Sequence, residues 1–488
     1  MHKTIFASKP VDLSRIHFIG FSIDHVLVSY KSKFLSLIYE LTKEKLIKDN
    51  SYPRNILDQV SFTPHFTSAA YVIDKQFGTA LQIDEFCNIT SCLKGRTKLD
   101  KEEYTQLYPD RSIKLCDRFY TQDQTFANVL TMLFMDLVQV FTDNFQTVCD
   151  PLFEQEKQQL SDAQGFMPSV LWSDVESAFN RIVGARSELL DKIRSSPQEY
   201  LVKPKKINQA IDRLKQSKKL FILSQNSYAY SDFVLAYIFG DYKQIFQYIL
   251  LDTSIQKFYT DKGIFRRMDP HRFLGGVGDT LDPHRIYSGG NIYLFEQYTG
   301  FRAKETMYCC DLLIQSDDFY KQGKWRHCAI LPSLFNEINA MLDNRKLKQK
   351  ITEMEIRQRE IQAMYQLSHE NKSDELKKIQ SRIEVLQKEL MDKFGVFGSK
   401  YHTSWALTKL GNHIAVRTDL YTCSASNFFY YSPFYYFQCN FQNRFLPHQA
   451  IDVYIEEFCG QLAEEEDLEQ ASQLGSQPNS STELNDIK

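Results

Sequence analysis

The sequence lacks a surplus of charge of either sign, a paired-cysteine motif and any long apolar run. Its 58 Lys and Arg against 61 Asp and Glu leave a net charge of −3, without the basic excess of a nucleic-acid-binding chain. None of the 10 Cys residues forms a Cys-x-x-Cys pair, which favours a reduced intracellular protein. No apolar stretch has the length of a secretory signal or a bilayer span. We therefore expect a cytoplasmic protein with neither nucleic-acid nor membrane partners.

Aromatic residues, by contrast, are abundant. They make up 14% of the chain, with 36 Phe and 27 Tyr among 488 residues. This composition indicates a rigid core with extensive aromatic packing. The length is sufficient for one large core domain with one or two additions.

The most informative stretch covers residues 16–27, where an apolar run ends in Gly20-Phe21 and continues into Ser22 and Asp24. A continuous apolar run predicts a buried parallel strand rather than an alternating surface strand. Ligands of open α/β sheets bind at the carboxyl ends of the strands. Ser22 and Asp24 are therefore the first candidates for chemistry.

Later apolar runs predict further core strands. Residues 218–227 include Ser224, whose hydroxyl can hydrogen-bond a phosphoryl oxygen, and residues 306–311 end in Asp311. Residues 246–252 predict a third strand of this kind. The three runs indicate that the region around Ser22 and Asp24 belongs to a larger parallel sheet.

Other segments predict elements outside this sheet. Residues 69–84 predict a β-hairpin. A helix is expected over 171–190, with Ser173 as its N-cap and Glu176 at capping-box spacing. Residues 341–393 predict two long helices, which form either a solvated hairpin or an intermolecular coiled coil.

Residues 20–32 resemble the first motif of the haloacid dehalogenase-like (HAD-like) phosphatases, a strand followed by Asp-x-Asp-x-Thr. They are more similar to the cytosolic purine 5'-nucleotidases, whose version reads Gly-Phe-Asp-Met-Asp-Tyr-Thr-Leu. The matching positions are Gly20, Phe21, Asp24, Leu27 and Tyr30-Lys31-Ser32. Two positions depart from the pattern: Ser22 stands at the family's nucleophilic Asp, and Val26 stands at its Thr.

The other motifs of that family follow in the same order. Ser224 takes the Thr position of the second motif. The phosphate-binding Lys of the third motif falls on Ile255, and Lys257 would replace it only if the loop slid by two residues. Asp311 keeps the first carboxylate of the fourth motif, whose second Asp is Ser316 here. The resemblance thus retains part of the family's site and loses the rest.

The resemblance implies an α/β fold: a HAD-like, doubly wound, mostly parallel sheet core with an inserted cap domain and a C-terminal helical extension. The divisions we expect are residues 1–121 for the first part of the core with the first motif and hairpin, 122–215 for the cap domain, 216–340 for the second part of the core, 341–393 for a helical hairpin, 394–460 for an aromatic-rich core or interface block, and 461–488 for an acidic disordered tail.

By the same resemblance, Asp24 takes the general acid/base position, and the Asp24 backbone carbonyl and Asp311 take metal positions for Mg²⁺. Ser22 is a weak nucleophile without a base, and loss of a carboxylate weakens Mg²⁺ binding.

Three alternatives stay open. The first is a pseudoenzyme with little phosphatase activity that assembles as a homo- or hetero-oligomer. The second is an active Mg-dependent 5'-nucleotidase acting on purine nucleoside monophosphates such as IMP and GMP, and the third is nucleotide binding without turnover.

Overall fold

The computed structural model describes residues 2–64, 71–121, 126–143, 167–260, 262–269, 272–276, 280–311, 324–364, 372–439, 446 and 448. The strands are β1 Phe6–Ala7, β2 Val11–Asp12, β3 Phe18–Phe21, β4 Ser29–Tyr30, β5 Tyr71–Asp74, β6 Thr79–Ile83, β7 Ile89–Lys94, β8 Thr97–Leu99, β9 Phe119–Thr121, β10 Leu201–Val202, β11 Lys219–Leu223, β12 Tyr248–Leu250, β13 Phe265–Asp269, β14 Arg272–Gly276, β15 Ile286–Gly289, β16 Thr306–Cys310, β17 Arg326–Ile330, β18 Leu420–Thr422 and β19 Tyr436–Phe437. The α-helices are α1 Ser32–Asn50, α2 Arg54–Leu57, α3 Lys101–Leu107, α4 Ala127–Asp143, α5 Pro168–Ala185, α6 Ser187–Ser195, α7 Pro197–Tyr200, α8 Ile207–Lys215, α9 Tyr228–Phe239, α10 Ile255–Thr260, α11 Ile292–Thr299, α12 Leu334–Asp343, α13 Arg345–Met364, α14 Lys372–Asp392 and α15 Lys409–Arg417.

Ten strands form the main sheet, in the order β1-β18-β17-β16-β3-β11-β12-β15-β13-β14. The seven consecutive strands from β18 to β15 run parallel. The antiparallel pairings of this sheet involve β1 at one edge and β13 and β14 at the other. The chain extends the sheet from β3 in both directions, which is the topology of a doubly wound sheet. The predicted α/β fold class is confirmed.

Strand β3 lies near the middle of this sheet, and all four of its residues are buried. Gly20 is paired with Phe221 of β11 and Tyr308 of β16. A Cβ atom at Gly20 would lie 2.3 Å from Cζ of Phe221, so only glycine fits beneath that ring. This packing sets the carboxyl end of β3 between those of β11 and β16.

A second, antiparallel sheet has the order β8-β7-β6-β5-β9 and contains the predicted hairpin as β5 and β6. It is joined to a helical layer made of α1, α4 and α5, which pack on one another. Asp136 of α4 is buried and accepts hydrogen bonds from the hydroxyl of Tyr39 at 2.7 Å and from Nε of Arg96. Since Tyr39 lies on α1 and Arg96 follows β7, these bonds connect the second sheet to both helices.

The helix predicted over 171–190 is in fact two helices, α5 and α6, separated by Arg186. Pro168 occupies the first position of α5, where its missing N–H has no helical partner to lose. Ser173 therefore lies inside the helix, and its prediction as N-cap is wrong. Glu176 instead accepts a hydrogen bond from the indole of Trp172 at 3.1 Å. Arg186 has a left-handed backbone with φ of +53°, which ends one helix and begins the next.

The two long helices predicted over 341–393 are present as α13 and α14, which pack on one another. Their seam carries an ion pair between Arg357 and Glu375 at 3.3 Å. The intermolecular coiled coil stays a prediction, and the predicted tail, 461–488, lies outside the described residues. Within the described ranges, no helix combines the length and apolar character needed to cross a bilayer.

Glu337 of α12 is a buried carboxylate at the junction of the main sheet's helices with the second sheet. It accepts a hydrogen bond from the hydroxyl of Ser399, whose backbone carbonyl accepts one from Gln82 of β6 at 2.7 Å. Burial raises the pKa of Glu337 to about 7, against the lowering effect of Ser399 and of nearby Lys400. Glu337 thus takes up a proton in the folded chain at a pH where the unfolded chain releases it.

We predict that the stability of the wild-type chain falls between about pH 5 and about pH 8 by up to about 3 kcal/mol through Glu337. The sign follows because the folded state binds this proton more tightly, from the ordinary pKa of 4.5 up to about 7. Glu337→Gln should remove this slope in urea-unfolding measurements. Asp343→Asn, at an exposed position of the same helix, should keep the wild-type profile. Parallel profiles for wild type and Glu337→Gln would contradict the prediction.

Candidate functional site

Polar side chains follow three adjacent strands at the carboxyl edge of the main sheet. Ser22 and Asp24 follow β3, Ser224 and Asn226 follow β11, and Asp311 follows β16. All five are buried or nearly so. The order in which strands are added to the sheet reverses at β3, since β11 and β12 lie on one side of it and β16 and β17 on the other. Open α/β sheets bind their ligands at such a point. The structure therefore brings together four of the predicted residues, Ser22, Asp24, Ser224 and Asp311.

Asp24 is 5% exposed, and both of its carboxylate oxygens are occupied by donors from the protein. Arg186 donates from Nη1 to Oδ1 at 3.1 Å and from Nη2 to Oδ2 at 2.8 Å. The hydroxyl of Tyr30 donates to Oδ1, and the side-chain amide of Asn226 donates to Oδ2 at 3.0 Å. This is a two-pronged guanidinium–carboxylate pair, the geometry in which such pairs are strongest.

Two opposing effects act on the pKa of Asp24. Burial raises it, and the charge and hydrogen bonds of Arg186, with those of Tyr30 and Asn226, lower it. The lowering effects prevail, so the pKa of Asp24 lies below its ordinary value and the residue is a carboxylate at neutral pH. A carboxylate held in this way is a poor proton donor.

Arg186 reaches the site from the break between α5 and α6. Its side chain is 3% exposed, and its Nε donates to the carbonyl of Val183 at 3.1 Å. The guanidinium lies 4.5 Å from the ring centre of Tyr230 and 5.5 Å from that of Phe126. Hydrogen bonds, a counter-charge and aromatic faces together compensate the burial of this cation.

Within the described part of the chain, the hydroxyl of Ser22 makes no hydrogen bond to the carboxylate of Asp24. Its hydroxyl donates to Oδ1 of Asp311 at 3.4 Å, and its backbone N–H donates to the carbonyl of Cys309 at 2.9 Å. Burial, followed by the charge of Asp24, raises the pKa of Asp311 to about 8. Because the pKa of Asp311 is raised, most of this carboxyl group holds a proton at neutral pH, and only a minor fraction is ionised as a base for Ser22.

Ser224 lies at the end of β11, beside the residue that binds Asp24. Its hydroxyl accepts a hydrogen bond from the backbone N–H of Asn226 at 3.3 Å. Its backbone N–H donates to the carbonyl of Leu250 in β12 at 2.9 Å. The Ser224 hydroxyl is thus fixed in the loop that delivers Asn226 to the site.

The structure does not bring Lys257 to this site. Ile255 and Lys257 lie on α10, where Ile255 packs into the apolar core and Lys257 is exposed. Residues two apart point the same way on an extended chain, but about 200° apart around a helix. Lys257 therefore faces away from the side of α10 that Ile255 buries. In the described ranges, no hydrogen bond or ion pair links Lys257 to Asp24, Ser224 or Asp311.

Sequence reasoning missed Arg186 and gave Tyr30 and Asn226 no role at the site. The signal for Arg186 was a helix interruption: Gly184 precedes it, and Ser187-Glu188 then resembles a helix start. This signal places the Arg186 side chain where two helices meet. It does not identify the partner of Arg186, because Asp24 is 162 positions away in the sequence.

The residues present do not fit Mg²⁺ well. Hard cations favour ionised oxygen ligands, and Ser22 supplies only a hydroxyl at the position of the family's carboxylate. The Asp24 group expected to bind Mg²⁺ is its neutral backbone carbonyl, and the Asp24 carboxylate, which is paired with Arg186, is not free to replace the missing ligand. Among the described residues at this edge, Asp311 is the one carboxyl group not paired with a cation, and Ser316 lies outside the described residues. Among the described residues, no group of three or more His, Cys, Asp or Glu is placed to hold a metal ion.

Comparisons with known proteins show what this chain is similar to. The model of the 5' nucleotidase family matches residues 5–451. A 5'-nucleotidase domain-containing protein of Dictyostelium discoideum is 24% identical over 446 residues, which cover 88% of this chain and 72% of the relative. A magnesium-bound structure of the HAD-hydrolase YfnB from Bacillus subtilis is 11% identical and covers 65% of this chain and 88% of that one, with a TM-score of 0.23. The family match spans all strands of the main sheet.

We predict that Arg186→Met lowers the free energy of unfolding by about 3–5 kcal/mol, because it leaves the Asp24 carboxylate buried and unpaired. Arg181→Met is the matched control, since Arg181 lies on α5 and pairs with the exposed Asp49 at 2.7 Å. It should cost at most about 1 kcal/mol. Urea unfolding measures both.

The double variant Asp24→Asn with Arg186→Met removes both charges. It should lose clearly less stability than the two single variants added together, because neither leaves a partner unpaired. Strictly additive losses would show that the two residues do not stabilise each other.

Proposed function

Because the chain belongs to the 5'-nucleotidase family, we propose that it is a member that has lost efficient phosphatase turnover and acts by binding and assembly. On this proposal it works in the cytoplasm as a homo- or hetero-oligomer and retains at most the capacity to bind a purine nucleoside monophosphate. The pseudoenzyme is favoured over the active alternative by the state of one residue, Asp24.

The occupied carboxylate of Asp24 carries the proposal. A general acid must hold a proton in one step and release it, and its pKa should lie near the working pH. The bonds from Arg186, Tyr30 and Asn226 lower the pKa of Asp24, and each of its two oxygens already accepts two hydrogen bonds. Asp24 is thus better suited to stabilising the fold than to transferring a proton.

The nucleophile position supports the same proposal. A serine hydroxyl attacks only when a base removes its proton. Ser22 is bonded to Asp311, whose pKa of about 8 leaves only a minor ionised fraction at neutral pH to act as that base. The phosphate-binding lysine of the family falls on the buried Ile255. When catalytic groups act as a unit, removing one of them lowers the rate by orders of magnitude. Here both the nucleophile and the phosphate-binding lysine have been replaced.

The alternative is an active Mg-dependent 5'-nucleotidase that dephosphorylates IMP or GMP. Its support is the convergence of Asp24, Ser224 and Asp311 at three adjacent strand ends. This arrangement is compatible with turnover if a substrate displaces Arg186 from Asp24. The two proposals differ in whether the wild-type chain releases phosphate.

We predict that the wild-type chain, given IMP or GMP with Mg²⁺, releases phosphate no faster than Asp24→Asn. Ser22→Ala should behave like wild type, because the hydroxyl is not an active nucleophile. Ser22→Asp restores only the carboxylate of the family motif and should stay near that background, because Arg186 still holds Asp24. Colorimetric phosphate assays measure all four chains.

A robust, metal-dependent wild-type rate that Asp24→Asn abolishes would contradict the pseudoenzyme proposal. Isothermal titration with IMP separates the remaining cases, since heat of binding without phosphate release indicates nucleotide binding without turnover.

A further inference from the structure

We infer that the guanidinium of Arg186 is the resident cation of this site and that it keeps divalent cations out. This inference rests on the proposed function and goes one step further, because it names the group that took over the charge balance of the site. It follows from the position, contacts and backbone of Arg186.

The contacts of Arg186 are those of a group fitted to its place. Its two terminal nitrogens each bind a different oxygen of Asp24, and its Nε binds the carbonyl of Val183. The rings of Tyr230 and Phe126 lie within cation–π distance of the guanidinium. A side chain that merely crossed this space would not satisfy its donors on the protein in this way.

The backbone of Arg186 is held from both sides. Its N–H donates to the carbonyl of Ile182 at 3.2 Å, and its own carbonyl accepts from the N–H of Leu190 at 2.8 Å. Ile182 and Leu190 are buried in the main core cluster. The left-handed conformation, unfavourable for a residue with a Cβ, is therefore imposed by the surrounding helices. Removing the side chain should leave the loop in place.

The exclusion of a divalent cation follows from occupancy and charge. Mg²⁺ requires near-ideal octahedral oxygen ligation, and a carboxylate already held by other donors cannot supply the oxygen that is missing at Ser22. Asp24 accepts four hydrogen bonds from Arg186, Tyr30 and Asn226. The guanidinium is bonded to the side chain of Asp24, the residue whose backbone carbonyl takes a metal position by the resemblance. A second cation placed between Asp24 and Asp311 would be repelled by the guanidinium.

The rival explanation is that Arg186 only stabilises the fold and that metal affinity is low for another reason, the loss of the carboxylate at Ser22. Under that explanation, removing Arg186 weakens the fold and changes metal affinity little. Metal binding, measured directly and without turnover, separates the two.

The experiment is isothermal titration of the full chain with Mg²⁺ alone, supported by thermal unfolding with and without Mg²⁺. We expect no measurable binding to the wild-type chain or to the control Arg181→Met. Arg186→Met should bind at least about a hundredfold more tightly than wild type, because a unit charge a few ångströms from the metal has gone. Its unfolding temperature should rise with Mg²⁺, and adding Asp311→Asn should abolish both effects.

Arg186→Gln guards against a variant that does not fold, because its amide can still donate to Asp24 while the charge is absent. Circular dichroism checks the fold of each variant. The inference is overturned if the wild-type chain binds Mg²⁺ as tightly as Arg186→Met or Arg186→Gln. It is also overturned if a folded variant without the charge binds no more tightly than wild type.

These outcomes are distinguishable from failure of the proposed function. A wild-type chain that binds Mg²⁺ without releasing phosphate contradicts this inference and leaves the pseudoenzyme proposal standing. A wild-type chain that releases phosphate from IMP contradicts the pseudoenzyme proposal directly.

Discussion

A carboxylate buried without a counter-charge is costly, and Asp24 lies at the centre of the sheet's carboxyl edge with almost no access to water. Arg186 supplies the counter-charge from the helical layer, so one ion pair both neutralises the site and joins that layer to the sheet. The neighbouring residues satisfy the two charged groups: Tyr30 and Asn226 donate hydrogen bonds to the carboxylate, and the ring of Tyr230 packs on the guanidinium. The break between α5 and α6 is the structural cost of delivering the arginine to this point.

The two carboxyl groups at this edge are shifted in opposite directions. The pKa of Asp24 is lowered, whereas that of Asp311 is raised to about 8. A pair of carboxyl groups with separated pKa values often marks an acid and a base in an active site. A structural ion pair next to a second carboxyl has the same effect. In this chain each oxygen of Asp24 accepts two hydrogen bonds, from Arg186, Tyr30 and Asn226, and this arrangement favours the structural explanation.

The sheet and its edge residues were predictable because buried parallel strands appear in the sequence as continuous apolar runs. Ser22 and Asp311 come directly after such runs, so their placement needed no tertiary information. Arg186 was not predictable in the same way, because its partner is far away in sequence and only the packed helices bring them together. Lys257 shows a second limit: its direction depends on α10 being a helix, whereas the residues alone suggested an extended loop. The N-cap at Ser173 was wrong because Pro168 provided an earlier start.

Gly20 and Ser22 lie two residues apart on the same strand end, yet they have very different tolerance to change. The ring of Phe221 occupies the space that any side chain at position 20 would need. The Ser22 hydroxyl, in contrast, makes one long hydrogen bond at 3.4 Å. Selection for a folded protein therefore acts strongly on the glycine and weakly on the reactive position. A lineage of such chains can lose its chemistry by a single substitution and keep its architecture intact, which allows the scaffold to persist after the reaction has gone.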